Sequence, residues 1–162
     1  MVRRGEADSP LKKKECLTRA LRLLSYRDRS EKEMRERLRS LGFDVSEIEG
    51  TMAYLKEKAF INDDSYCKRW AEYRMENAPS GPRKLESDLK KKGFDEEIVT
   101  SVCESIWSRY NEFDTALSLA RKKYIQGKTE LLPEVARRIF GFLLRNGFSG
   151  EVAGRVLTEL RK

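Results

Sequence analysis

The chain has 162 residues, of which 39% are hydrophobic and 38% are charged, with a net charge of +7 and no histidine. This length suits one domain of ordinary size or a short array of small units. No segment approaches the roughly 20 apolar residues that cross a bilayer, so we expect no membrane association. No apolar run follows the first arginines, and the cysteines are scattered at Cys16, Cys67 and Cys103. These features predict a cytoplasmic protein with reduced thiols.

One string of residues occurs three times along the chain. Each copy has two apolar residues four positions apart, then a Gly-Phe pair that begins four positions later. The copies are Met34, Leu38, Gly42 and Phe43; Leu85, Leu89, Gly93 and Phe94; and Ile139, Leu143, Gly147 and Phe148. Residues four apart share a helix face, and glycine readily adopts the left-handed conformation that ends a helix. Each string therefore predicts an amphipathic helix with a Schellman ending, closed by contact of the phenylalanine with the second apolar residue.

Each string is the middle helix of a predicted three-helix unit. In chain order we expect a flexible basic tail at 1–14, then repeats at 15–59, 60–112 and 113–162. Apolar residues at helical spacing mark a first and a closing helix around each middle one. The predicted starts of the middle helices are Ser30 with Glu33, Pro82 and Pro133, and those of the closing helices are Asp44 or Ser46, Asp95 and Ser149.

The predicted fold class is therefore all-α, with three tandem, helix-turn-helix-like three-helix repeats. No segment alternates apolar and polar residues long enough to form a strand of a sheet. Units this small bury little core alone, so neighbouring repeats should share apolar faces in an elongated, curved array.

Residues that carry catalysis are missing from the sequence. Without histidine there is no histidine-based triad and no common zinc ligand, and the separated cysteines form no zinc motif. Gly127-Lys128-Thr129 resembles the end of a phosphate-binding loop, but Lys122 stands where that loop needs its first glycine. We therefore expect a protein that is not an enzyme and that has no cofactor and no metal.

Basic residues concentrate on the middle helices and at the end of the first helix of repeat three. A stacked array could present them as a repeated basic face to a partner rich in acidic groups or phosphate. Some of this charge is structural, since cations near a helix carboxyl terminus are stabilising. The candidate partner-contact residues, which include two arginines of the first helix of repeat two, are Arg35, Arg39, Arg69, Arg74, Lys84, Lys90, Lys91, Lys92, Arg121, Lys122, Lys123, Arg137 and Arg138.

Two nucleic-acid interpretations are less favoured. In helix-turn-helix proteins the last helix meets the bases through its first turn, but here that turn is acidic in every repeat. Tyr66, Trp70 and Tyr73 share one helical face and could stack on unpaired bases, although such a stripe more often belongs to the core.

The chain resembles the RecX family of bacterial regulators of the RecA recombinase, over residues 16–162. An Ala-Leu pair and an arginine-rich turn lead to a serine-capped helix, at Ala20-Leu21, Leu24, Arg27, Arg29-Ser30, Met34-Arg35 and Leu38. The most specific part runs through Phe60-Ile61-Asn62-Asp63, Arg69, Arg74, Gly81-Pro82, Lys84-Leu85, Leu89, Lys92 and Gly93-Phe94. Arg145 with Gly147-Phe148 forms a shorter third part. Tyr66 and Trp70 depart from the family pattern, which has smaller residues or phenylalanine, and the Gly127–Leu132 loop matches no strong family pattern.

The resemblance implies a partner and an activity. RecX proteins bind the RecA filament on single-stranded DNA in its helical groove, and they reduce ATP hydrolysis, strand exchange and promotion of repressor cleavage. We accordingly expect a monomer that acts on the RecA filament in DNA repair and the SOS response, with at most weak direct binding to DNA. The alternative is a helical nucleic-acid-binding protein that acts without RecA. The middle repeat disfavours it, because residues 59–112 carry nine basic and eleven acidic side chains.

Overall fold

The computed structural model describes residues 10–124 and 131–161, and it places nine α-helices and no strand in these ranges. The helices are α1 (Pro10–Tyr26), α2 (Glu31–Ser40), α3 (Val45–Glu57), α4 (Asp63–Asn77), α5 (Pro82–Lys91), α6 (Glu96–Trp107), α7 (Glu112–Tyr124), α8 (Pro133–Arg145) and α9 (Gly150–Leu160). In chain order they form three successive sets of three. The predicted all-α class with tandem three-helix repeats is confirmed.

Some predicted features lie wholly or partly outside the described residues. These are the first nine residues of the expected tail, the Gly127-Lys128-Thr129 sequence and most of the loop between α7 and α8. The tail was expected to reach residue 14, whereas α1 already begins at Pro10. Proline favours the first helical turn, because its fixed φ suits a helix and its missing N–H is not needed there.

Short polar side chains begin several helices, largely at the predicted positions. Ser30 and Glu33 form the expected capping box, in which each side chain accepts a hydrogen bond from the other's backbone N–H. For α3 the sequence left two candidates, and Asp44 is the cap, with Glu47 completing a second capping box. Asp95 stands at the cap position of α6, but its side chain makes no capping hydrogen bond.

The three glycines of the repeated string end the middle helices in the left-handed conformation. Their φ angles are 91° at Gly42, 86° at Gly93 and 86° at Gly147. The Phe43 N–H donates to the Leu38 carbonyl at 3.3 Å, and the residues of the third repeat form the same bond at 3.1 Å. These two bonds close the predicted Schellman endings.

The chain divides into two compact units. One, here called the amino-terminal unit, comprises the chain up to Tyr66 together with Lys92–Phe94. Its core is formed by fully or almost fully buried side chains of α1, α2, α3 and the loop after α3: Cys16, Ala20, Met34, Leu38, Ile48, Met52, Leu55 and Ile61.

The carboxyl-terminal unit comprises Cys67–Lys91 and Asp95–Lys162. One of its cores joins α7, α8 and α9 through Ala116, Leu117, Ala120, Ile139, Leu143, Phe148, Val152, Ala153 and Val156. Leu85, Leu89, Val99 and Ile106 of α5 and α6 are fully buried in the same unit.

The aromatic stripe of α4 is only partly core. Tyr66 is buried, and its ring packs edge-on against Phe94 with centroids 5.3 Å apart. Trp70 is half-buried, whereas Tyr73 remains 66% exposed. A helical stripe predicts one shared face, but the burial of each member depends on which neighbouring helix extends far enough to cover it.

Candidate partner-binding surface

The segment after α5 packs against the start of α2 within the amino-terminal unit. Ser30 Oγ donates a 2.6 Å hydrogen bond to the Lys92 carbonyl. The Lys92 ammonium donates to the Tyr66 hydroxyl at 3.2 Å, lies 4.0 Å from the Glu33 carboxylate and lies 5.5 Å from the Tyr66 ring centroid. A Cβ on Gly93 would lie 2.5 Å from the Lys32 side chain. Lys92, one of the predicted partner contacts, is therefore engaged within the fold.

The same arrangement occurs in the carboxyl-terminal unit, where the segment after α8 packs against the start of α5. The Gly81 N–H donates to the Asn146 carbonyl at 2.8 Å, and the Arg83 N–H donates to the Gly147 carbonyl at 3.3 Å. The predicted contact Lys84 donates through Nζ to Asn146 Oδ1 at 3.3 Å. Lys84 is half-buried and, like Lys92, is engaged in a contact within the fold.

These turns need glycine not only for its positive φ but also because neighbouring atoms approach the glycine closely. A Cβ on Gly147 would lie 2.3 Å from the Lys84 backbone nitrogen, and one on Gly81 would lie 2.4 Å from the Gly147 carbonyl carbon. Gly42 has no neighbour within 4 Å of a Cβ in the described structure. The glycine turns of repeats two and three thus pack against an earlier middle helix, and the turn of repeat one needs glycine only for its φ.

Two predicted contact arginines are held by internal carboxylates. Arg35 binds Glu31 at 3.0 Å and Glu49 at 2.9 Å, and the hydrogen bond to Glu49 is the main reason that the Arg35 pKa is raised. Arg74 lies 3.7 Å from Asp88 and also donates to the Ala78 carbonyl. Both side chains are at most about a third exposed. Neither offers an uncompensated charge to a partner.

Lys90 is exposed but neutralised. It lies 2.7 Å from Glu86, one helical turn before it, and 3.3 Å from Glu96. The hydrogen bond to Glu86, followed by that to Glu96, raises the pKa of Lys90. The three consecutive lysines at and just after the end of α5 therefore differ, because only Lys91 lacks a described partner.

The remaining predicted contacts are exposed at the surface. Lys123 lies over the Phe142 ring at 4.2 Å from its centroid, and Arg69 is exposed on α4. Six others make no ion pair or side-chain hydrogen bond within residues 10–124 and 131–161: Arg39, Lys91, Arg121, Lys122, Arg137 and Arg138.

Two exposed cations of the middle helices were not among the predicted contacts: Arg83 on α5, and Arg145 on α8, which was noted only in the family resemblance. Neither side chain forms an ion pair in the part of the chain that the structure describes. The signal was in the repeat itself, since the 54-residue offset that aligns Leu85 with Ile139 also aligns Arg83 with Arg137 and Lys91 with Arg145. In each helix the two cations are eight positions apart, which places them on one face.

The α5 face borders a shallow, open concavity of about 490 Å³, lined by Arg83, Glu86, Ser87, Lys90 and Lys91. None of these side chains is apolar. Protein-binding surfaces are commonly centred on aromatic or aliphatic anchors, which this concavity does not have. Within the described ranges no three cysteine, aspartate or glutamate side chains come together as a group that could hold a metal ion.

Comparison with known proteins identifies the family. Three family models match in order: the RecX first three-helix domain at residues 16–55, the second at 62–102 and the third at 110–157. The regulatory protein RecX of Corynebacterium efficiens is 35% identical over 142 residues, which cover 85% of this chain and 67% of that protein. The chain belongs to the RecX family.

Other RecX proteins agree with this result. The regulatory protein RecX of Clostridium beijerinckii is 29% identical over 90% of this chain and 68% of its own length. The crystal structure of RecX from Lactobacillus salivarius superposes with a TM-score of 0.76 at 26% identity, covering 92% of this chain and 96% of that one. The expected family is confirmed, and both of these relatives are named regulatory proteins. No described helix is both long and apolar enough to span a membrane.

Proposed function

We propose that this RecX protein binds the RecA filament on single-stranded DNA and restrains it, lowering ATP hydrolysis, strand exchange and promotion of repressor cleavage. In this proposal the protein acts as a monomer in the cytoplasm. The observation that carries the proposal is the match of three consecutive RecX domains across residues 16–157.

The distribution of charge supports a binding role. Predicted contacts that are exposed and have no partner among the described residues lie on α2, α5, α7 and α8, and a filament of protein and DNA offers carboxylates and phosphates to such groups. Arg35, Arg74, Lys84 and Lys92 are left out of the proposed contact surface because the fold already uses them. Arg39, Lys91, Arg121, Lys122, Arg137 and Arg138 remain in it.

A steady-state ATPase assay tests the proposal. RecA, single-stranded DNA and ATP are combined with increasing amounts of the chain, and phosphate release should fall as the chain becomes stoichiometric with RecA. Charge reversal by R137E and R138E on α8 should weaken this inhibition. The matched control is R19E with R22E, which replaces two exposed arginines of α1 and changes the net charge by the same amount as R137E with R138E. Unchanged phosphate release with the unmodified chain would refute the proposal.

A second candidate, a nucleic-acid-binding protein that acts without RecA, is supported by the exposed cations alone. It predicts tight binding to bare DNA with a steep dependence on salt and no effect on RecA beyond competition for DNA. Adding excess DNA separates the candidates, because it would abolish inhibition by competition but would leave inhibition through the filament in place.

A further inference from the structure

Arg29 carries a guanidinium group that the fold anchors but does not pair. The residue lies in the turn between α1 and α2, directly before the cap Ser30, and its side chain is half-buried. Its Nε is shielded from solvent and has no hydrogen-bond partner, while its two terminal nitrogens are neither buried nor bonded to a described residue. Partial burial of a cation without a counter-charge is unfavourable, so this side chain needs an anion that the described residues do not supply.

The charges around Arg29 are mostly positive. Burial lowers the pKa of Arg29, and the neighbouring cations Arg27 and Arg37 lower it further, whereas the Glu33 carboxylate opposes them. Glu33 is already engaged, because it accepts from the cap backbone N–H at 3.0 Å and from Arg27 at 3.1 Å, and Lys92 Nζ lies 4.0 Å away. The surroundings of Arg29 therefore hold more positive than negative charge.

The Tyr66 hydroxyl adds a neutral donor to this set. Its oxygen accepts a hydrogen bond from Lys92 at 3.2 Å. A hydrogen bond between Arg27 and the same hydroxyl is one of the smaller reasons, after the hydrogen bond to Glu33, that the pKa of Arg27 is raised. Because both lone pairs of the oxygen are then used by cations, its O–H group is left to donate to a ligand.

We propose that Arg29, Arg37 and Tyr66, here called the Arg29 site, bind one small phosphate-class oxyanion, either free phosphate or the terminal phosphate of a nucleotide. Arg29 and Arg37 form no ion pair with a carboxylate in the described ranges. A tetrahedral dianion accepts hydrogen bonds from two guanidinium groups and a hydroxyl at once, and it neutralises both charges. The inference does not rest on the proposed function.

The Arg29 site is compact and belongs to repeat one. The positions equivalent to Arg29 are Ser80 and Glu134, and those equivalent to Arg37 are Asp88 and Phe142, so neither later repeat carries the same pair of arginines. All three residues of the site lie in the amino-terminal unit. Two arginines that converge on one hydroxyl suit a single small anion, whereas a polymer backbone needs cations spaced along its length.

Nitrogen-15 NMR of the arginine side chains tests the site, with sodium orthophosphate and sodium pyrophosphate as probes. Arg29 Nε is shielded from solvent, so its N–H should exchange slowly and give a resolved signal, which is assigned by its loss in Arg29→Lys. At constant ionic strength each probe should shift this signal in a saturable manner, with one anion per chain. Sodium chloride at the same ionic strength should leave the signal in place.

Isothermal titration calorimetry with pyrophosphate measures the contribution of each arginine. Arg29→Gln should weaken binding by roughly 10- to 100-fold, the usual cost of removing a charge-assisted hydrogen-bonding group. Arg37→Gln should weaken it by a smaller factor, because its side chain is exposed. The matched control is Arg19→Gln, which removes an exposed arginine of α1 in the same unit and should bind like the unmodified chain. Circular dichroism verifies that each variant is folded.

The nature of the anion is decided by comparing ligands in the NMR titration. Tighter binding of ATP than of pyrophosphate assigns the site to a nucleotide, and equal or weaker binding assigns it to free phosphate. An Arg29 signal that shifts with oligo-dT but with neither orthophosphate nor pyrophosphate would overturn the inference, as would equal weakening by Arg29→Gln and Arg19→Gln. These measurements contain no RecA, so their failure and the failure of the proposed function are distinguishable.

Discussion

Replacing Gly147 with alanine should destabilise the carboxyl-terminal unit by about 2–5 kcal/mol. A φ of 86° places any L-residue in the left-handed region, at about 1–2 kcal/mol. The new Cβ would also lie 2.3 Å from the Lys84 backbone nitrogen, which cannot rotate away, and such overpacking costs about 1–3 kcal/mol. Gly42→Ala is the matched control, since its φ of 91° has the same strain but no neighbouring atom of the described residues lies within 4 Å of the Cβ.

Urea unfolding measures the difference between these two variants. Trp70 and Trp107 both belong to the carboxyl-terminal unit, so tryptophan fluorescence follows the unit that Gly147→Ala perturbs, while circular dichroism follows all helices. Thermal unfolding gives a second readout, in which the melting temperature should fall by roughly 4–20 °C for Gly147→Ala, at about 2–4 °C per kcal/mol for a chain of this size. For Gly42→Ala the corresponding loss is about 1–2 kcal/mol. Equal losses in the two variants would show that the contact between α8 and α5 adds nothing to the φ requirement and would refute the reasoning.

Three further predictions concern the amino-terminal unit and the thiols. Lys92→Gln should lower the stability of that unit by about 1 kcal/mol, because it removes the ammonium that lies near the Tyr66 ring and the Glu33 carboxylate. The control is the neighbouring substitution Lys91→Gln, which should leave the urea midpoint unchanged. Ser30→Ala should cost about 1–2 kcal/mol through the lost cap and the lost bond to the Lys92 carbonyl, and a midpoint equal to that of the unmodified chain would contradict this. Burial raises the pKa of the Cys103 thiol to about 11, so its alkylation rate should still be rising at pH 10, where a free thiol has levelled off. Mass spectrometry of iodoacetamide adducts measures that rate, and a plateau near pH 9 would contradict the expected shift.

The fold could be predicted from the sequence because its main signals are local. The four-residue spacing of Leu38 and Met34 places both on one face, and the glycine after them can end a helix without any tertiary contact. Ser30 with Glu33 likewise forms its capping box inside one helical turn. Since each repeat carries the same local signals, the three-helix organisation is clear from one chain.

The candidate surface was harder to predict, because partners distant in sequence decide which cations are available. Arg35 is paired with Glu49, Lys92 with Glu33 and the Tyr66 ring, and Lys84 with Asn146, all across turns or between helices. Lysines at positions 90–92 look equivalent in the sequence, yet only Lys91 lacks a described partner.

Arg83 and Arg145 were overlooked for a different reason. Arg83 precedes Lys84, which was among the predicted contacts, and Arg145 has no basic neighbour on either side. Their connection depends on the hydrogen bonds from Gly81 and Arg83 to the segment after α8, which join residues more than sixty positions apart. Aligning the repeats on the glycine turn shows that Arg83 corresponds to Arg137 and that Lys91 corresponds to Arg145.

Sedimentation with preformed RecA filaments tests the central claim most directly. Filaments are assembled on single-stranded DNA with a non-hydrolysable ATP analogue and pelleted with the chain, alongside free RecA and bare DNA. We expect the chain to sediment with filaments in a saturable manner and more tightly than with bare DNA at the same salt concentration. If the chain remained in the supernatant with filaments, or pelleted equally with bare DNA, binding to the RecA filament would be contradicted.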